Sequence, residues 1–193
     1  MKTLLITLIL PAALALSAQQ PAETQPRLAV HAAVFSESIG LPGFRHAFIP
    51  KQTGLRLGME WYYRNTPEKQ VVQKVNLSGY QHPGYHNALV LNTEITYRPY
   101  LGSFFFDLGG GLGYMLVHSR LPRFVNTGPG QFEPAGSVQH KASIHLSAGL
   151  GYRFNKGHSL FATYEALVEV PFGYAGNPVL PHRLICLGMR MPI

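Results

Sequence analysis

His145 and Ser147 stand two residues apart, with Glu165 further along the chain. Together they supply a hydroxyl nucleophile, an imidazole base and a carboxylate able to orient that base, the parts of an acyl-hydrolysis site. Residues i and i+2 share one face of a strand, so a strand would present His145 and Ser147 together. His82 and His86 flank a tight hairpin and could chelate a metal, but no third ligand is evident, and they read as solvated or lumen histidines. His140 and His145 have opposite parity and cannot share a face. Gly109, Gly111 and Gly113 invite comparison with a phosphate-binding loop, yet they alternate inside a strand pattern with no helix after them, and the reading they support is spatial. Their missing side chains would leave room for Arg56, Arg98, Arg153 or Tyr62 to reach across. Cys186 is the only cysteine, so no internal disulfide is possible, and by parity it is a small buried thiol. No metal or cofactor is expected.

The elements that carry these residues follow a period of two from residue 27 to the end, and no long segment follows the helical period. Gly54 to Asn65 sets Leu55, Leu57, Met59, Trp61 and Tyr63 against Arg56, Gly58, Glu60, Tyr62 and Arg64. Lys141 to Phe154, Ser103 to Val117 and Ser159 to Val170 separate their faces in the same way. Arg27 to Phe35, a third segment around Val71 to Ser78, a fourth from Leu89 to Arg98, and Arg183 to Ile193 complete eight predicted strands. In the third, Gln73 interrupts the apolar face. Asn65 to Glu68, Pro99 to Gly102 and Asn155 to His158 have turn chemistry. Glu37 to Thr53, Ser119 to about Ala135, and Pro171 to Pro181 are longer, and Gln81 to Gly84 is a short exception. Strand ends thus divide between a short-turn rim and a long-loop rim.

The 193-residue chain allows one domain of ordinary size. Residues 1–18 read as a signal peptide: Lys2, an apolar run from Leu4 to Leu16, then small residues. Residues 19–26 read as a flexible lead-in and 27–193 as the barrel. After the leader no apolar run is long enough for a membrane-spanning helix, although hydrophobic content is 46 % and charged content 13 %. Net charge is +7; for an exported chain, anionic lipid rather than nucleic acid is the expected counterpart.

Alternation alone does not choose between lipid and water outside. An eight-stranded barrel has a lumen only wide enough to be filled by side chains, too narrow for nearly every Phe, Leu, Tyr and Trp of the apolar face. Turned outward, those residues form a lipid-facing belt. The lumen then receives Glu60, Glu94, Asp107, Glu165 and Glu169 with Arg56, Arg64, Lys74, Arg98, Lys141, Arg153 and Arg190, expected to pair because an isolated enclosed charge costs several kcal/mol. Trp61, Tyr63, Tyr97, Phe104, Tyr152 and Phe154 fall at the short-turn rim as an expected aromatic girdle. The predicted fold is an all-β, eight-stranded antiparallel up-and-down transmembrane barrel, preceded by a signal peptide.

With this leader, these strands, short turns facing longer loops, and an apolar alternation running to the C-terminus, the chain resembles the small outer-membrane barrels of Gram-negative bacteria, the OmpA, OmpX and OmpW type. The resemblance implies short turns in the periplasm, loops outside, and a last strand read by the barrel-assembly machinery; that strand commonly ends in an aromatic residue, here in Ile193 after Pro192. His145, Ser147 and Glu165 are similar to the constellation of outer-membrane lipid A deacylases, but parity directs them into the lumen, away from acyl chains. Arg45, Lys51, Arg120 and Arg123 give the long loops a positive rim, either ordinary solvated charge or a contact with lipopolysaccharide. The loops also hold Leu41, Phe44, Phe48, Ile49, Leu121, Phe124, Phe132, Tyr174, Val179 and Leu180, which pack into a cap by default or bind a partner. The leading expectation is a non-enzymatic envelope protein working through its loops, in contact with outer-membrane lipid and lipopolysaccharide, with any extracellular partner unidentified. A narrow solute conduit is second and a lipid A hydrolase third.

Overall fold

The computed structural model describes residues 27–40, 52–82, 86–154, 157–171 and 179–193. Within them ten strands follow one another: β1 (Leu28–Ile39), β2 (Gln52–Asn65), β3 (Lys69–His82), β4 (His86–Leu101), β5 (Phe104–Ser119), β6 (Arg123–Gly128), β7 (Gln131–Ala135), β8 (Val138–Arg153), β9 (Ser159–Val170) and β10 (Leu180–Pro192). Eight of them close into an antiparallel barrel in the order β1-β10-β9-β8-β5-β4-β3-β2. Closure joins the first and last strands, with His31 opposite Arg190. Every barrel strand therefore has two neighbours, which a sheet in hydrocarbon requires because its edge groups would find no water. The remaining pair, β6 and β7, forms a separate hairpin within the segment predicted as a long loop.

One rim carries both barrel termini, where the Ile193 amide donates to the Leu28 carbonyl at 3.0 Å. The turns after β2 and β4 also lie there. The opposite rim carries the hairpin and the ends of the longer connections, of which 41–51 and 172–178 lie outside the described residues, as do the leader and lead-in.

The faces segregate as the period of two requires. Leu57, Leu146 and Leu187 are 63 %, 64 % and 57 % exposed, whereas Arg56, His145 and Arg190 are 7 %, 0 % and 3 % exposed. In water, such a continuous apolar outer wall would be a large exposed patch; in hydrocarbon it is a matched surface. Gln73, which breaks that wall, is satisfied locally. Its amide donates to the Thr93 hydroxyl, the Tyr63 hydroxyl reaches its oxygen at 3.5 Å, and Thr93 in turn donates to the Lys74 carbonyl at 3.2 Å.

Two placements depart from the sequence reading for local reasons. A β-bulge between Tyr62 and Arg64 shifts the register against β3, and Arg64 is exposed at the terminal rim rather than in the lumen. β1 continues to Ile39, four residues past Phe35, and carries Glu37 into the barrel interior instead of the loop. Leu121, Phe124 and Phe132 are exposed among the described residues, and Leu41, Phe44, Phe48, Ile49 and Tyr174 of the expected cap lie outside them.

Candidate functional site

The lumen is a packed ionic core. At its centre Arg98, fully buried, donates from Nε to Asp107 Oδ1 at 2.5 Å and from Nη2 to Asp107 Oδ2 at 2.9 Å. The same guanidinium donates to Glu60 Oε2 at 3.0 Å and to Gln70 Oε1 at 3.0 Å. Arg190 approaches Glu60 at 2.8 Å and Asp107 at 3.4 Å, and Lys74 lies 3.2 Å from Asp107 and 3.5 Å from Glu94. Two acids are thus shared by three cations contributed by three strands, which lets enclosed charges remain ionised without water around each one.

Phe105 lies beneath two of those cations, its ring centroid 5.3 Å from Arg98 and 5.1 Å from Arg190. Arg153, expected in the same network, instead stacks over Tyr100 at 4.1 Å near the terminal rim. That placement suits a guanidinium with one face on an aromatic ring and the other toward solvent.

The glycines make space, but not for arginines. A Cβ on Gly109 would strike the Glu94 carboxylate and the Ser147 hydroxyl, and one on Gly111 would strike the Thr93 carbonyl. Gly113 faces Ser143, Asn92 and His145, and Gly151 faces the Phe105 ring. Close approach of neighbouring strands and of acidic, hydroxyl and aromatic groups occupies the room.

His145 and Glu165 meet, with Nδ1 2.6 Å from Oε1, and Arg56 holds the other Glu165 oxygen at 2.6 Å. Ser147 does not complete the set. Its hydroxyl donates to Glu94 at 2.8 Å, and the hydroxyl beside His145 Nε2 is that of Ser143, at 2.8 Å. The reason is direction: along β8 both serines share a face with His145, but Glu165 draws the ring so that its far nitrogen turns toward Ser143. The resulting Ser143–His145–Glu165 relay has the connectivity of a nucleophile, base and orienting acid, but all three are buried and enclosed by the barrel wall.

Nearer the long-loop rim the lumen changes character. Phe35, Tyr80, Met115, Val117, Leu167 and Leu184 pack into an apolar layer with Cys186, and above them His182 bridges Glu37 at 2.7 Å and Glu169 at 3.3 Å. Lys141 pairs with Glu169. Parity in the sequence turns Glu169, Lys141 and His31 away from the apolar face, whereas within the predicted strand bounds it carries no sign of Glu37 or His182. Of the two hairpin histidines, His82 and His86 stack at 5.4 Å between ring centroids, and Gln52 accepts from His82 Nε2 at 2.8 Å in its satisfied orientation.

The six aromatics expected at the terminal rim all face outward, Phe104 and Tyr152 meeting edge to face at 5.2 Å, as do Tyr152 and Phe154. Of the loop cations, Arg120 is exposed just past β5 and Arg123 opens β6; Arg45 and Lys51 lie outside the described residues.

Charge is unevenly divided between inside and outside. Six of the chain's nine acids, Glu37, Glu60, Glu94, Asp107, Glu165 and Glu169, are buried in the lumen against five of its sixteen Lys and Arg, namely Arg56, Lys74, Arg98, Lys141 and Arg190. Eleven cations and three acids remain elsewhere in the sequence, a balance of +8 against −1 in the lumen, so the chain's positive charge lies outside the enclosed network.

No protein-family model and no curated protein sequence matches this chain. Among solved structures, it is similar to Neisserial surface protein A, with a TM-score of 0.60 and 12 % identity over 86 % of this chain and 97 % of that one. It is also similar to the outer membrane enzyme PagL, with a TM-score of 0.50 and 15 % identity over 86 % of this chain and 99 % of that one. At these identities the likeness concerns the fold, and an enzyme shares it. Together with the exposed apolar wall and ionic interior, it makes this chain a membrane-spanning eight-stranded β-barrel of the outer-membrane type.

Proposed function

We propose that this barrel is a non-enzymatic protein of the bacterial outer membrane whose working surface is its long-loop rim. The observation that carries the reading is the cross-linked lumen: Arg98, Glu60, Asp107, Lys74 and Arg190 span the section with paired charge. An aqueous path through that section would have to break several buried ion pairs, each break leaving an uncompensated charge at a cost of about 3–5 kcal/mol.

In this reading residues 1–18 are a cleaved leader, 19–26 a periplasmic lead-in, and the short-turn rim faces the periplasm with its aromatic girdle at headgroup level. The last strand is recognised by the barrel-assembly machinery. The long-loop rim meets the outer leaflet, where Arg120, Arg123, Arg45 and Lys51 face lipopolysaccharide phosphate, and the β6–β7 hairpin extends toward an external partner.

Planar-bilayer recording of the purified, refolded barrel tests the central part of this proposal. A silent membrane is expected at moderate voltage. Stable, reproducible conductance steps would replace the reading with a narrow solute conduit.

A further inference from the structure

On the outer wall of β5 and β8, at the long-loop end, four polar groups stand where the apolar belt stops. The Tyr114 hydroxyl bonds His140 Nδ1. His118 and Arg120 are exposed and have no partner among the described residues, and His140 is exposed as well. Tyr114 is opposite Ala142, His140 opposite Leu116, and His118 opposite Val138, so these three occupy adjacent outward positions on two paired strands, and Arg120 follows directly past the end of β5.

Their height follows from strand geometry. Phe104, at the terminal-rim girdle, and Tyr114 are ten residues apart on β5. At about 3.4 Å per residue and a tilt of about 40°, that separation is about 26 Å along the membrane normal, close to the roughly 25 Å apolar band of outer-membrane barrels. Tyr114 therefore marks the far interface. By the same rise His140 stands about 5 Å above it and His118 about 10 Å above it, at headgroup depth. Every carboxylate of β4, β5, β8 and β9, namely Glu94, Asp107, Glu165 and Glu169, is turned into the lumen. No acid on those four strands offsets these donors.

We propose that this patch is a binding site for the phosphate of an outer-leaflet lipid, whose acyl chains lie along Leu112 and Ile144 of the continuous apolar wall. With His140 Nδ1 taken by Tyr114, the ring's Nε2 is the atom free to donate to a phosphate oxygen. Arg120 adds the permanent charge and a planar donor fork suited to phosphate. His118, between them in height, adds a third donor. The occupant is a membrane-anchored phosphate rather than a dissolved one, because the site is continuous with the lipid-facing belt and has no wall of its own on the open side. This inference specifies the lipid contact of the proposed function, and it is independent of whether the lumen conducts.

The full-length mature barrel, folded in phosphatidylcholine nanodiscs doped with bisphosphorylated lipid A or its dephosphorylated form, tests the site by native mass spectrometry of retained lipid. The wild type is expected to retain the phosphorylated form about tenfold more, a difference of about 1.4 kcal/mol. The H118Q/R120Q/H140Q variant is expected to lose that preference, R120K to keep most of it, and R27Q/R64Q, which removes exposed cations at the other rim, to keep all of it. Shifted migration of unheated protein on a gel confirms that each variant is folded. Equal retention by the wild type and the triple variant, an equal loss in R27Q/R64Q, or displacement of the lipid by inorganic phosphate at matched concentration would overturn the proposal. A conducting barrel that still shows the preference would overturn the non-conducting function and leave this site standing.

Discussion

Arg98 on β4 and Asp107 on β5 form a two-bond clasp across a short turn, Nε to Oδ1 at 2.5 Å and Nη2 to Oδ2 at 2.9 Å. The pair is local in sequence, yet it ties β2 and β10 through Glu60 and Arg190. A hairpin contact thereby becomes the hub of a closed barrel. Its geometry is bidentate and its burial complete, the conditions under which an enclosed ion pair holds structure most strongly.

Replacing Arg98 with Ala would leave Glu60 and Asp107 short of their main partner. Urea unfolding of the refolded protein in detergent is expected to show a loss of about 3–5 kcal/mol, the cost of an uncompensated buried charge. Exposed Arg64, shifted outward by the bulge, serves as the control, and R64A should change stability by no more than about 0.5 kcal/mol.

The glycines of β5 divide by what their neighbours leave free. A Cβ on Gly111 would collide with the Thr93 carbonyl, which belongs to a paired strand and cannot turn away, whereas one on Gly110 meets Leu146 at an ordinary 3.5 Å. G111A is expected to destabilise the barrel by about 1–3 kcal/mol through overpacking, and G110A to be near neutral. Equal unfolding midpoints for the two variants would contradict the close strand approach described for Gly111.

The buried relay makes a prediction about chemistry. Ser143, His145 and Glu165 are connected as a hydrolase would connect them, but the wall separates them from acyl chains. A fluorophosphonate probe applied to the folded protein should label neither Ser143 nor Ser147, and S143A should leave the lipid A profile of producing cells unchanged. Labelling of the wild type that disappears in S143A would establish an accessible nucleophile and overturn the non-enzymatic reading.

The architecture was legible because hydrocarbon outside and ionic groups inside impose a strict period of two, and one-residue alternation survives in a sequence without any partner contact being known. Trp61, Leu146 and Met189 could be placed outward from neighbours alone. What parity could not register were local changes in count. One bulge moved Arg64 to the surface, and four extra residues of β1 brought Glu37 to His182. The hairpin β6–β7 was hidden because Pro134 and the mixed pattern around Phe124 and Glu133 gave no clean alternation. The inner apolar layer had a signal: Val34 with Phe35, Leu167 with Val168, and Leu184 with Ile185 are apolar on both faces, which marks strand ends buried on one side by a lumen core and on the other by lipid. Ser143 rather than Ser147 depended on a ring orientation that spacing does not encode.

The segregation of faces is tested most directly by single spin labels at consecutive β8 positions from 143 to 148, in a Cys186→Ser background reconstituted in lipid vesicles. Relaxation by oxygen, which concentrates in hydrocarbon, should exceed relaxation by a water-soluble nickel chelate at 144, 146 and 148, with both reagents excluded at 143, 145 and 147. The opposite phase, with 143, 145 and 147 open to the nickel chelate or to oxygen and 144, 146 and 148 shielded, would contradict the barrel's assignment of lipid to its apolar face.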